Sequence, residues 1–222
     1  MLTEEEWQTG TNVSVLLECD LIRRRYRKFR LFACACAMNL TQWMTHPKAL
    51  PAIERGYQFA DGQLTPATLA KWHNVLNKLR EGVSLSEEQR DPVALAHFAA
   101  RFTCLPSDYF PHRNAWLILV SYPAAFDMEF ISTMQHWGPT TLRDIFGNPF
   151  RPVPFSPEWR TDTAVSLART MYESREFSAM PILADALQDA GCDNDDLLNH
   201  CRDANQVHVR GCWVVDLVLG KA

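Results

Sequence analysis

Apolar residues recur along the chain at three- and four-residue steps, with polar residues between them. The clearest stripe lies within residues 21–44 and consists of Phe29, Phe32, Cys36, Leu40 and Trp43. This spacing is typical of the buried face of a helix, whereas strict alternation, which would predict a strand, does not extend over any length. The pattern therefore predicts an all-α protein, an irregular bundle of about nine helices.

Capping residues, glycines and prolines mark where the predicted helices begin and end. Thr3 with Glu6 fits a capping box, and a cap followed by proline occurs at Thr65-Pro66 and Asp91-Pro92. Gly138-Pro139 is typical of a helix break. The main predicted helices cover residues 21–44, 48–60, 65–80, 91–103, 123–137, 162–173, 178–190, 194–203 and 212–219. Residues 114–122 are apolar enough for a strand, but a lone strand has no partner, so we predict a helix.

A proline-rich segment separates the N-terminal helices from the C-terminal ones. Residues 147–157, which we call the strap, have the sequence GNPFRPVPFSP, and four prolines exclude a helix or a central strand. The strap and its neighbours predict an N-terminal helical region, 1–138, and a C-terminal unit, 139–222, around a shared core. We expect the strap to lie across its own domain, and docking into an aromatic groove of a partner is the alternative.

Composition and charge exclude several classes of protein. The chain has 222 residues, 47% of them apolar, and a formal net charge of −4, which argues against nucleic acid as the partner. The acidic N-terminus lacks the basic start and apolar core of an export signal, and no apolar run approaches the roughly 20 residues that span a bilayer. We therefore expect a cytoplasmic protein without membrane contact, whose seven cysteines are reduced thiols.

Charged residues concentrate near both ends of the chain. The basic group consists of Arg23, Arg24, Arg25, Arg27, Lys28 and Arg30, and the acidic group of Asp185, Asp189, Asp193, Asp195, Asp196 and Asp203. Three interpretations stay open: a solvated helix start, docking of the two ends within a chain or across a homodimer, and nucleic-acid binding. We take the basic residues 23–28, with Arg151 in the strap, as candidate interaction residues.

Distinctive motifs occur in four segments, at both ends of the sequence. They are RLFACAC at 30–36, LRDIFGNPFRPV at 142–153, LADALQDAGC at 183–192 and VHVRGCWVVDLVLGK at 207–221. Together they resemble a large family of paralogous planctomycete proteins, and the resemblance covers about half of the chain. No function is known for that family, so the resemblance implies no activity, cofactor or catalytic residue. Residues 46–138 do not share it, and we expect this variable region to set specificity.

A cluster of cysteines and histidines near the C-terminus is the candidate chemistry. It consists of Cys192, His200, Cys201, His208 and Cys212. The three-residue gap between His208 and Cys212 is typical of zinc ligands, whereas His200 and Cys201 diverge by about 100° on a helix, so one ion does not easily take both. The candidate zinc ligands are therefore His200, His208, Cys212 and Cys192.

Two other interpretations of this cluster stay open. In one, Cys192 packs as a small apolar side chain and the histidines form hydrogen bonds. In the other, Cys212, His208 and Asp216 form a nucleophilic set, but nothing in the sequence places the imidazole on the thiol. No nucleophile elbow, zinc-protease motif, dinucleotide motif or phosphate loop occurs. The sequence thus favours a non-catalytic helical interaction or adaptor module of unknown partner and no cofactor, and a zinc protein, either structural or hydrolytic, is the alternative.

Overall fold

All regular structure in the computed structural model is helical. The structure describes residues 2–78, 91–105 and 125–221, and these ranges contain no strand. The prediction of an all-α irregular bundle is confirmed. The helix predicted at 114–122 and part of the variable region lie outside the described residues. None of the described helices combines the length and the apolar character needed to cross a membrane.

Eleven α-helices lie in the described ranges, together with three short 3-10 helices. The α-helices are α1 (Glu4–Thr9), α2 (Val13–Leu16), α3 (Tyr26–Met38), α4 (Ala49–Ala60), α5 (Pro66–Lys78), α6 (Pro92–Thr103), α7 (Met128–Phe146), α8 (Asp162–Ser174), α9 (Met180–Asp189), α10 (Asp195–Arg202) and α11 (Trp213–Leu219). The 3-10 helices are Asp20–Ile22, Thr41–Trp43 and Pro157–Trp159. The predicted helix over 21–44 is thus a shorter α-helix with a 3-10 turn beyond each end, because 3-10 turns also return to one face every three residues.

The predicted break at Gly138-Pro139 is wrong, because α7 continues through both residues. Proline removes one hydrogen-bond donor from a helix, but the turns on either side keep theirs. The chain forms two compact units, and the division between them falls directly after Pro139. We call Thr11–Pro139 the N-terminal unit, and Met1–Gly10 with Thr140–Ala222 the C-terminal unit. Pro139 therefore marks a boundary between units rather than the end of a helix.

Helices α3, α4 and α6 pack on one another in the N-terminal unit. Residues 29–37 of α3 are all buried, so this helix is covered on every side. The close approach depends on Gly56 of α4, where a Cβ atom would lie 2.8 Å from Cys34 Sγ and 2.9 Å from Thr103 Cβ. The buried Arg30 side chain donates to the Thr103 carbonyl over 2.8 Å. Arg30, the last member of the basic group, is therefore part of the core.

The start of α4 depends on two unprotonated histidine nitrogens. His97 of α6 accepts a hydrogen bond at Nε2 from the backbone N–H of His46 over 3.1 Å, and His46 Nδ1 accepts one from the Lys48 N–H over 3.1 Å. Burial, and then the nearby His46, lower the pKa of His97 below its ordinary value, against the opposing influence of Asp91. Because the folded unit favours neutral His97, protonation of His97 weakens the unit.

We therefore expect the N-terminal unit to lose stability in mild acid. The contribution of His97 to the free energy of unfolding is complete above the ordinary histidine pKa of about 6.5. It is lost as the pH falls towards the lower pKa that His97 has in the folded unit. His97→Gln, whose amide oxygen accepts a hydrogen bond but does not titrate, should flatten the fall in urea midpoint between neutral pH and about pH 5. The exposed His136 supplies the control His136→Gln, and an identical slope in wild type and His97→Gln would contradict the prediction.

The C-terminal unit is built on a core from α8, α9, α10 and α11. The strap lies across this core, as predicted, and contributes Val153 and Phe155 to its edge. The capping box of Thr3 and Glu6 is present at the start of α1. Helix α1 and its flanking residues, the first ten of the chain, belong to the C-terminal unit.

Gly147 ends α7 at a point where a side chain would crowd Trp213. Its φ of +68° lies in the left-handed region, and a Cβ atom there would approach the Trp213 ring to 3.1 Å. Gly191, after α9, has a φ of +85° but nothing within 4 Å of the position of a Cβ atom. The two glycines therefore separate the effect of backbone conformation from the effect of close packing.

We expect Gly191→Ala to lower the free energy of unfolding by roughly 1 kcal/mol, the cost of the left-handed backbone alone. Gly147→Ala carries the same cost and also crowds the indole, for a total of about 2–3 kcal/mol. Chemical denaturation of both variants measures the difference. Equal losses would show that the Trp213 contact at Gly147 carries no energy.

Candidate metal centre

Four side chains from separate segments of the C-terminal unit bring their ligand atoms together. They are Asp144 in the last turn of α7, His200 in the last turn of α10, His208 in the loop that follows, and Cys212 at the N-cap of α11. All four ligand atoms lie within 4.8 Å of one another. No other group of three or more histidine, cysteine or acidic residues in the described part of the chain converges in this way.

Four of the six separations between these atoms are close to the edge lengths of a small tetrahedron. His200 Nε2 lies 3.1 Å from Asp144 Oδ1 and 3.3 Å from Cys212 Sγ. His208 Nδ1 lies 2.8 Å from the same oxygen and 3.8 Å from the same sulfur. Around a tetrahedral zinc ion, with bonds of about 2.0–2.3 Å, neighbouring ligand atoms lie about 3.3–3.7 Å apart. Each of these four separations lies within about 0.5 Å of that range.

The orientation of the imidazoles distinguishes a metal site from a catalytic triad. In a cysteine–histidine–aspartate triad, one ring nitrogen faces the nucleophile and the other faces the carboxylate. Here a single nitrogen of His200 faces both the sulfur of Cys212 and the oxygen of Asp144, and a single nitrogen of His208 does the same. Each ring therefore directs one nitrogen at a common centre, as a metal ligand does.

Burial and charge at the site also favour a cation. Asp144 and Cys212 are fully buried, and the side chains of His200 and His208 are 12% and 7% exposed. Burial is the largest influence on Asp144 and opposes its ionisation, but the hydrogen bonds from the two histidines outweigh it and lower its pKa. Burial and then Asp144 raise the pKa of the Cys212 thiol well above its usual value. A divalent cation would balance one carboxylate and one thiolate, since both histidines are neutral when they bind metal.

Local structure directs each of these side chains inward. Asn194 caps α10 by accepting from the Leu197 N–H over 3.0 Å, and Leu197, one turn before His200, is buried in the core. The Val209 N–H donates to Asp144 Oδ2 over 2.9 Å and so holds the loop that carries His208 against the end of α7. The Trp213 ring lies 5.2 Å from the His200 ring and covers it.

Sequence reasoning found three of the four residues, namely His200, His208 and Cys212. The fourth candidate, Cys192, is buried in the core and does not belong to the group, whose fourth member is Asp144. His200 and Cys201 diverge as expected, because Cys201 is buried in the core. The missed signal was the carboxylate of Asp144, which follows Arg143 in the segment LRDIF, 56 positions before His200. A buried carboxylate requires hydrogen-bond or charged partners, but those of Asp144 are more than 50 positions away, so local spacing does not identify them.

Three of the six candidate interaction residues form ion pairs within their own units. Arg23 pairs with Asp20 over 2.9 Å on an exposed surface, and Arg27 pairs with the buried Asp61 over 3.2 Å. Three further members of the set differ in their exposure: Arg24 and Arg25 are exposed, and Lys28 is partly buried.

The remaining candidate, Arg151 in the strap, is bonded to Glu4. In the acidic group, Asp185 pairs with Arg202 over 2.9 Å. Each of these pairs joins two residues of the same unit. Docking of the basic group on the acidic group therefore stays a prediction.

Comparisons of the chain with protein-family models, with curated proteins and with solved structures find no significant match. The function is therefore inferred from the geometry of the site.

Proposed function

We propose that this chain binds one zinc ion through Asp144, His200, His208 and Cys212, and that the ion stabilises the C-terminal unit. The observation that carries the proposal is the convergence of one nitrogen from each imidazole with a carboxylate oxygen and a sulfur. Hydrogen bonding alone would explain the carboxylate and the histidines. The Cys212 thiol faces the same two nitrogens, and a nitrogen whose hydrogen is donated to Asp144 cannot also accept the thiol hydrogen, whereas one metal ion would use all four atoms.

The donor set selects zinc among the common metals. Calcium and magnesium prefer oxygen ligands, and this site offers one carboxylate against two nitrogens and a sulfur. Two imidazoles, one thiolate and one carboxylate in a compact tetrahedron suit Zn²⁺, which has no geometric preference of its own. We therefore expect zinc rather than a hard cation.

A structural role fits the site better than a hydrolytic one. Catalytic zinc usually keeps three protein ligands and leaves the fourth position to water or substrate. Here four protein ligands fill the tetrahedron, and each of them is buried or nearly so. The proposed ion supports the interpretation of the chain as a non-catalytic interaction module, whose partner, a second copy included, stays a prediction.

The metal content of the purified protein tests the proposal directly. Native mass spectrometry, on protein prepared without chelator or metal-affinity resin, should show a mass excess of one zinc ion per chain that acid removes. Cobalt exchanged into the site should give a sulfur-to-metal charge-transfer band in the near ultraviolet. Cys212→Ala should abolish this band, because Cys212 supplies the sulfur.

The matched control is Cys192→Ala, which removes a buried thiol from the same unit without touching the group. This variant should keep both the bound zinc and the cobalt band. A protein that takes up neither zinc nor cobalt would overturn the proposal. A band that survives Cys212→Ala would show that the metal binds elsewhere.

Removal of the metal should weaken one unit and not the other. All four ligands belong to the C-terminal unit, so a chelator should speed amide hydrogen exchange in α10 and α11 and leave α3 and α4 unchanged. The expected loss of stability is about 3 kcal/mol, relative to free zinc at about a hundredfold excess over its Kd. The same loss in both units, or none in α10 and α11, would contradict a structural ion in the C-terminal unit.

A further inference from the structure

The N-terminal helix α1 is bonded to the segment that carries Asp144. The Trp7 side chain is 1% exposed, and its indole N–H donates to the Gly147 carbonyl over 3.1 Å. In the opposite direction, the Arg143 guanidinium donates to the Trp7 carbonyl over 2.8 Å and to the Gly10 carbonyl. These bonds join residues that lie more than 130 positions apart in the sequence.

A second group of bonds joins the start of α1 to the strap. The Glu4 carboxylate accepts from Asn148 Nδ2 over 2.6 Å and from Arg151 Nε. Hydrogen bonds from Asn148 and Arg151 lower the pKa of Glu4, so this carboxylate is ionised at neutral pH. Residues 143–151, which we call the Asp144 segment, are therefore held by α1 at both ends.

Arg143 transmits this restraint to its neighbour Asp144. Consecutive side chains on a helix diverge by about 100°, so Arg143 faces α1 while Asp144 faces the histidines. Fixing the direction of one side chain fixes the rotation of the helical turn and hence the direction of the other. Gly147, three residues after Asp144, accepts the hydrogen bond from Trp7 at its carbonyl. The same glycine lies against the ring of Trp213, the residue after Cys212.

Helix α1 has only six residues, which is too few to be stable alone in water. Its hydrogen bonds to the Asp144 segment and the burial of Trp7 hold it in place. We infer that α1 is a latch that positions Asp144 for the metal, with Trp7 as the principal positioning residue. This inference rests on the proposed zinc site, and it adds that the affinity for the ion depends on the first ten residues of the chain.

The variant Trp7→Phe tests the latch. Phenylalanine keeps an aromatic ring in the pocket but has no N–H to donate to Gly147. Outer partners of metal ligands typically change affinity by about 10–100-fold, and we expect zinc binding to weaken by about tenfold. Competition with a chromophoric chelator measures the Kd.

Two further variants separate positioning from a general loss of stability. Thr161→Ala removes the N-cap of α8, a helix of the same unit that carries no ligand, and should leave the Kd unchanged. Arg143→Lys keeps the charge but not the two-pronged donor, and should weaken binding in the same direction as Trp7→Phe. Wild-type affinity in both Trp7→Phe and Arg143→Lys would overturn the latch.

A readout without metal distinguishes failure of the latch from failure of the zinc site. The Val209 amide donates to Asp144 Oδ2, so we expect its hydrogen to exchange slowly only while Asp144 is in place. In metal-free Trp7→Phe this amide should exchange faster than in metal-free wild type, while core amides of α9 keep their rates. Faster exchange with no zinc uptake by wild type would overturn the zinc site and leave the positioning of Asp144 by α1 supported. Zinc uptake by wild type with unchanged Val209 exchange and unchanged Kd in the variant would overturn the latch alone.

Discussion

The buried carboxylate of Asp144 is the constraint on which the C-terminal unit depends. A fully buried charge costs several kcal/mol unless it is paired and hydrogen-bonded. Asp144 has three partners: the imidazoles of His200 and His208 and the backbone N–H of Val209. These partners lie in α10 and in the loop after it. The hydrogen bonds of this one carboxylate therefore bring the end of α7 together with α10 and that loop. The packing of this part of the unit follows from one carboxylate.

The position of Cys212 adds a sulfur to this network of one carboxylate and two imidazoles. Cys192 and Cys201 are buried among apolar side chains, where a thiol is a small hydrophobic group. Cys212 is equally buried, but its sulfur lies 3.3 Å from His200 Nε2 and 3.8 Å from His208 Nδ1. A thiolate there would be a second buried negative charge beside Asp144. The proposed zinc ion would compensate both charges at once.

The sequence predicts local features well, because their causes are local. The capping box of Thr3, the cap before Pro92 and the path of the strap follow from local sequence. His200, His208 and Cys212, three members of the converging group, are also candidates from the sequence. Two features depend on contacts that no local pattern contains. Helix α7 continues through Pro139, because the remaining turns keep their hydrogen bonds. Asp144 joins ligands that begin 56 residues later, so its role appears only when the chain has folded.

The lengths of the helices explain why a metal would be placed where these four residues lie. Helices α1, α10 and α11 have six, eight and seven residues, and helices this short are not stable in isolation. Three of the four ligands lie at helix ends: the last turns of α7 and α10 and the N-cap of α11. An ion at this point ties together the places where short helices fray first. The proposed latch formed by α1 acts on the same end of α7, so α1 and the metal site would stabilise each other. The first ten residues would then belong to the C-terminal unit for a physical reason.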